Sequence, residues 1–150
     1  MVKHISDKTI AGRTLTIPYP YTMKDAEDWY RRFRNIMRRK NPGRMAFAIE
    51  IDREVVGTIG ISIHDHKAEI GYWLGRKYWG KGIMTDVVKE TTKYGFNELG
   101  LRRMYALVFP HNKASMRVLE KAGYKFEGIL LKNVQKGNKL IDEYLFARIR

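Results

Sequence analysis

The chain has 150 residues, 44% of them hydrophobic and 30% charged, with no cysteine and a formal net charge of +13. That length and balance predict a single globular domain, residues 1–150, with a core of its own, and exclude a disordered chain. The lack of cysteine excludes disulfides, thiolate metal sites and a cysteine nucleophile. The excess of Lys and Arg favours polyanionic partners: RNA, a ribosome, an acidic protein or a ligand bearing several phosphates.

The opening stretch MVKHISDKTIAG lacks the apolar core of a secretory signal. The longest apolar run, 55–63, is broken by Gly, Thr and Ser, so a cytoplasmic protein with no membrane span is expected. After Pro18-Tyr19-Pro20-Tyr21, Thr22 is placed to cap a helix with Asp25 completing a capping box. Ala26, Trp29, Phe33 and Ile36/Met37 recur at helical spacing and are expected in the core, as are the helix methionines. Asn41-Pro42-Gly43 is the expected stop. Arg31, Arg32, Arg34, Arg38, Arg39 and Lys40 fill the other face, which reads as a solvated basic surface or a dock for RNA or an acidic protein.

Three strands follow, 45–51, 55–63 and 68–74, joined by Asp52-Arg53 and by His64-Asp65-His66-Lys67. Loops this short allow only antiparallel pairing, so a meander is expected. The next helix carries Ile83, Met84, Val87, Val88, Thr91, Tyr94 and Gly95 on one face and stops at Gly100. A strand over 104–109, a short helix capped by Asn112 and ended by Gly123, and strands over 124–131 and 140–149 complete the chain. The order predicts an α/β (α+β) fold: a mixed, mostly antiparallel sheet flanked by helices.

The segment Tyr78-Trp79-Gly80-Lys81-Gly82-Ile83-Met84-Thr85-Asp86 stands between a strand and a helix. Two glycines let several N–H groups converge, and a helix N-terminus adds partial positive charge, which together suit an anion; Lys77 and Lys81 add full charges. The segment lacks the G-x-x-x-x-G-K-[ST] of the P-loop. It has Thr85 where the dinucleotide fingerprint needs a third glycine, and its preceding strand belongs to a meander, so neither an NTPase nor a nicotinamide enzyme is favoured. His64 and His66 lack further metal ligands and read as turn histidines, and His111 as a loop residue; no metal is expected.

Three stretches carry a resemblance. Ala68-Glu69-Ile70-Gly71-Tyr72-Trp73-Leu74 with Tyr78-Trp79-Gly80-Lys81-Gly82 resembles the acyl-CoA-binding core of the GNAT family of N-acetyltransferases. Asn112-Lys113-Ala114-Ser115 through Ala122-Gly123-Tyr124, and the earlier Ile17-Pro18-Tyr19-Pro20-Tyr21-Thr22, are similar to its branch of RimJ/RimL-like ribosomal-protein N-terminal acetyltransferases. The resemblance implies acetyl-CoA as cosubstrate. It places the Q/R-x-x-G-x-G/A pyrophosphate loop on Lys77, Gly80 and Gly82, with a mild departure at Lys77. It implies that amides from Gly80 through Lys81, Gly82 and Ile83 to Met84 hold the pyrophosphate, and that the main chain of Trp73 and Leu74 pairs with the pantetheine arm like an added strand. Asn112 is implied as a pantetheine ligand, beside its plain reading as a helix cap. Arg117 and Lys121 are placed to meet the 3′-phosphate or simply solvent.

The implied chemistry is direct attack of an amine on the thioester. It needs a base, an oxyanion donor such as a backbone N–H near Trp73 or Leu74, and help for the leaving thiolate. Glu69 is the expected base, acting through a water, with a surface salt bridge as its other reading. The tyrosine that many members carry seven residues after the asparagine is Leu119 here, so Ser115 is the expected acid, with bonding to its own helix turn as the alternative. Family members begin with a strand and a helix, and only sixteen residues precede Ile17. That first strand and helix are therefore expected to be missing or shortened, which would expose a sheet edge and invite a homodimer. The expected acceptor is a protein N-terminal α-amine of the ribosomal-protein type, with ribosome or RNA contact through the basic surface. A polyamine or aminoglycoside is the alternative, and a basic RNA-binding module without catalysis the reading from another class.

Overall fold

The computed structural model describes residues 1–39 and 43–150. Lys40, Asn41 and Pro42, part of the expected basic face and helix stop, lie outside the described residues. Two short helices open the chain, α1 (Val2–Ile5) and α2 (Lys8–Arg13), and α3 (Met23–Met37) follows. Among the described residues no strand precedes α3. The Thr22–Asp25 capping box is formed in both directions, so two N–H groups at the start of α3 are satisfied by side chains.

The strands β1 (Arg44–Ile51), β2 (Glu54–His64) and β3 (Lys67–Leu74) form the expected antiparallel meander. Asp52 and Arg53, both at positive φ, make the tight turn whose twist matches the flanking strands. A 3₁₀ turn at Arg76–Tyr78 leads into α4 (Ile83–Asn97), which crosses over to β4 (Arg103–Val108), parallel to β3. The helix α5 (Lys113–Lys121) and the hairpin β5 (Lys125–Lys136) and β6 (Lys139–Ile149) complete a six-stranded sheet of order β1-β2-β3-β4-β6-β5. This is the mixed, mostly antiparallel sheet flanked by helices that the sequence predicts, and no helix of the described residues is long and apolar enough to cross a membrane.

The one parallel junction shapes the molecule. β3 and β4 pair only from Lys67↔Arg103 to Glu69↔Tyr105; residues 70–74 and 106–108 run on without pairing each other. A wedge opens in mid-sheet at Glu69 and Tyr105. Strand alternation then assigns the two faces. Ile59, Ile61, Ile70, Leu74, Met104, Ala106 and Val108 point to α4 and α5 and form the main core with Val88, Phe96 and Leu119. The other face carries Ala46, Thr58, Gly60 and Gly71, all small.

Those small residues explain a correction. Trp29 and Phe33 are not core: Trp29 is 36% exposed, and the two rings stack on each other at 5.2 Å over a floor too shallow to reach them. Of the methionines in helices, Met84 and Met116 are buried whereas Met23 and Met37 are exposed. A smaller second cluster of Ile5, Ile10, Tyr21, Ala26 and Trp73 fastens α1 to α3 over this face. Tethers from elsewhere hold the opening helices: Lys3 pairs with Glu54 at 2.5 Å, and the ammonium of Lys136 on β5 caps the C-terminal end of α2 through the carbonyls of Ala11 and Thr14.

β2 and β3 approach closely at Gly57, where a Cβ would stand 2.6 Å from the Trp73 carbonyl oxygen and 3.0 Å from Leu74 Cδ1. Gly57→Ala is expected to cost about 1–3 kcal/mol by forcing the strands apart. A melting temperature equal to that of the wild type would contradict the close approach.

Candidate active site

A cleft of about 1090 Å³ runs through the wedge from one face of the sheet to the other. At its α4 end the chain builds an anion cradle. Gly80 and Gly82 have φ of 75° and 80°, a region other residues enter only with strain, and both face open space. Gly82 is the N-cap of α4 and brings no side chain to its first turn, so the N–H groups there are left for a ligand. That fits a pyrophosphate: a helix N-terminus offers donors and partial positive charge to it. Gly80, Gly82, Ile83 and Met84 line the cleft, as does Thr85, which is not among the ligands the resemblance implies. Lys77 and Lys81 instead lie over the ring of Tyr78, at 4.8 Å and 5.6 Å, on the outer side of the loop.

Along the wedge, β3 turns only alternate main-chain groups to the gap. Gly75 donates to the Val56 carbonyl at 2.8 Å, and the Trp73 carbonyl points towards Gly57, so the polar main-chain groups of Trp73 face β2. Those of Tyr72 and Leu74 face the gap. The Leu74 carbonyl already accepts the indole N–H of Trp79 at 2.6 Å, leaving its amide as the donor at this point. The Trp79 ring is in turn covered by the Arg13 guanidinium at 5.0 Å.

Asn112 and Ser115 stand at the first turn of α5. Asn112 Oδ1 accepts the Ser115 N–H at 3.3 Å, so Asn112 is a helix cap; the cap uses its oxygen only, and its side chain also lines the cleft. The Ser115 hydroxyl does not bond its own helix turn. It lies 2.8 Å from the Tyr72 hydroxyl. Tyr72 was missed in the sequence; its place two residues from Ile70, on the face that packs against α5, is the signal that finds it. Burial raises the pKa of Tyr72 well above the usual tyrosine value, with the Ser115 bond opposing in part, so it stays a phenol and a hydrogen-bond donor at neutral pH.

Glu69 projects on the opposite face, with Ser62 and Tyr105 beside it. It is half-buried, and its pKa is raised, first by burial and then by the charge of Glu143; His64, Arg44 and a bond from Tyr105 oppose. A carboxylate so placed binds a proton more readily than one in water. The cleft therefore has a carboxylate on one side of the sheet, a serine–tyrosine pair on the other and an open amide between them. His64 and His66 are exposed at the β2–β3 turn, and His111 Nε2 lies 3.1 Å from the Gly12 carbonyl, away from this chemistry.

Comparison with known proteins agrees with this geometry. The model described as "Acetyltransferase (GNAT) domain" matches residues 1–125. The uncharacterized N-acetyltransferase p20 of Bacillus licheniformis is 33% identical over 135 residues, which cover 87% of this chain and 76% of p20. The chain spans less of the next curated relatives, from 40% to 57% of their length. Among solved structures, a GNAT-family acetyltransferase from Bacillus anthracis superimposes with a TM-score of 0.82 at 27% identity, over 99% of this chain and 86% of that one. RimJ of Mycobacterium smegmatis in complex with CoA-disulfide gives 0.80 at 26% identity, over 91% and 68%. The chain belongs to the GNAT family of acetyltransferases, enzymes that take an acetyl group from acetyl-CoA and place it on an amine.

Proposed function

We propose that the protein acetylates the α-amine at the N-terminus of a polypeptide, of the kind RimJ/RimL-type enzymes modify, with Glu69 as base and Ser115 as acid. The observation that carries the polypeptide reading is the trough leading to Glu69. Its floor is Ala46, Thr58, Gly60 and Gly71, all small, and Asp25, Trp29, Arg32 and Phe33 of α3 line it as well, which leaves room for an extended chain. Similarity to a ribosomal-protein-S5-alanine acetyltransferase of Vibrio fischeri, 28% identical with a TM-score of 0.73 over 82% of this chain and 71% of that one, supports the same acceptor. The exposed arginines Arg31 and Arg34 on α3, with Arg38 and Arg39 just past its end, support contact with ribosomal RNA around such an acceptor.

In this reading the cradle at Gly80–Met84 grips the pyrophosphate and the gap-facing edge of β3 receives the pantetheine. The free Asn112 amide group bonds a pantetheine carbonyl. Glu69, directly or through one water, removes the proton of the attacking amine, and the Leu74 N–H donates to the oxyanion as the carbonyl carbon becomes tetrahedral. Ser115 donates its proton to the departing thiolate. The Tyr72 phenol, bonded to Ser115 Oγ, strengthens that serine as a donor and stays protonated; Ser115 regains a proton from solvent as the products leave and Glu69 gives up its own. The nitrogen–carbon bond forms, the carbon–sulfur bond breaks, and the proton lost at the amine appears on Glu69.

Gly82→Asp puts a side chain and a negative charge at the cradle, so calorimetry with acetyl-CoA should show binding lost; wild-type affinity would remove the cradle assignment. Ser115→Ala should lower kcat by roughly tenfold to a hundredfold, the low end of general-acid effects because a thiolate leaves readily. Tyr72→Phe should lower it less, both with acetyl-CoA affinity intact, and equal rates in all three proteins would exclude the proton route. Glu69 must be deprotonated to act, and its pKa is raised. The rate with an alanine-initiated peptide should therefore fall on acidification at a pH above the ordinary carboxylate range. Glu69→Gln should lower kcat/KM by about 100-fold and abolish that limb. Mass spectrometry after incubation with the peptide, spermidine and an aminoglycoside selects the acceptor; modification of the polyamine alone would overturn the polypeptide reading.

A further inference from the structure

Glu143 is the one charged side chain that is buried among the described residues, at 5% exposure. It lies on β6. Ala147 stands opposite Tyr105 and Leu145 opposite Leu107, so alternation puts residue 143 on the face that carries Tyr105 and Glu69. It lines the same end of the cleft as Glu69, Ser62 and Arg44. Its Oε2 accepts a hydrogen bond from Asn133 Nδ2 at 2.7 Å, from the stretch between Leu130 and Val134 where the β5–β6 register shifts. Among the described residues no lysine, arginine or histidine forms an ion pair with it, in a chain whose net charge is +13.

A buried carboxylate without a cation is costly, and an amide hydrogen bond offsets only part of that cost. A fold with so many cations keeps this one carboxylate unpaired beside the wedge and anchors it with an asparagine. The ligand class that completes such a site is a cation small enough to enter the trough, and the acceptor of this reaction arrives as one, because a free amine is mostly protonated at neutral pH.

We propose that Glu143 is a positioning residue for the acceptor: together with Glu69 it holds the incoming amine as an ammonium ion, with one N–H directed at Glu69. The inference rests on the reading of Glu69 as the base. Glu143 acts twice. Its charge stabilises the bound ammonium, and the same charge makes Glu69 a stronger proton acceptor. The first effect tightens acceptor binding but resists deprotonation, and the second favours it, so the two oppose in kcat while KM keeps the first. The other groups facing Glu69 are Tyr105 on β4, His64 on β2 and Arg44 on β1; the last two work against Glu143.

The test uses Glu143→Gln, nearly isosteric and still able to bond Asn133. Carbon-13 NMR of the glutamate carboxylates, with the Glu69 signal assigned through Glu69→Gln, reads the titration of Glu69 without any acceptor. Removing a neighbouring negative charge should move its midpoint to lower pH. Steady-state kinetics with the alanine-initiated peptide and with spermidine should show KM for the accepted amine raised roughly tenfold or more, kcat changed far less and the acid limb moved to lower pH. KM for acetyl-CoA should be unchanged, and Glu143→Asp should recover part of the loss. Asn133→Ala, which frees the carboxylate without removing it, should raise the amine KM in the same direction by less. An unmoved Glu69 midpoint with an unmoved amine KM in a Glu143→Gln protein that melts like the wild type would overturn the proposal, as would an unmoved KM in Asn133→Ala should Glu143→Gln not fold. Wild-type rate and acid limb in Glu69→Gln would sink the base assignment instead; the amine KM of Glu143→Gln still decides whether Glu143 holds the ammonium.

Discussion

Everything in the site depends on β3 and β4 parting after Glu69↔Tyr105. Main-chain groups inside a protein need partners, and a wedge in mid-sheet leaves a row of them unsatisfied at the deepest point of the fold. A ligand that is itself extended, with amides along it, satisfies them as a further strand would. The wedge also joins the two faces of the sheet. In the proposed function this lets a carboxylate on one face and a hydroxyl pair on the other address the same bond from opposite sides, though nothing in the chain brings Glu69 and Ser115 into contact.

The two faces are built on different terms. The face towards α4 and α5 is closed by Ile59, Ile61, Met104 and Leu119, all at or near zero exposure, and holds the glycine cradle and Ser115 rigidly. The other face is floored by glycine, alanine and threonine, and its roof, α3, stands off on a stacked Trp29–Phe33 pair. In the proposed function the packed side places the thioester and the side floored by small residues receives the acceptor. The opening helices close the second side through Glu54 and Lys136, residues far from them in sequence.

Much of this was legible in the sequence because it rests on local rules. Loops of two residues force antiparallel strands, Thr22 and Asp25 announce a helix, and Gly80 and Gly82 between strand and helix announce an anion site. What was not legible depends on which faces meet. Trp29 and Phe33 have the spacing of core residues, and only the small side chains across from them show that no core lies there. Tyr72 becomes the partner of Ser115 because β3 packs under α5. Trp73 was expected to offer its main chain to the gap, yet strand alternation turns it to β2 and leaves Leu74 in that place. Glu143 joins Glu69 only through the β4–β6 register. Helices as short as α1 and α2 carry too little periodicity to be read, and they persist through tertiary tethers.

In the proposed function the gap-facing edge of β3 and the first turn of α4 receive acetyl-CoA together. Amide exchange by NMR, residue by residue, with and without acetyl-CoA, tests it most directly. Acetyl-CoA is expected to slow exchange at Leu74 and at Gly82 through Met84 and to leave Trp73, already facing β2, unchanged. Protection confined to other segments, or none at these amides under saturating acetyl-CoA, would contradict it.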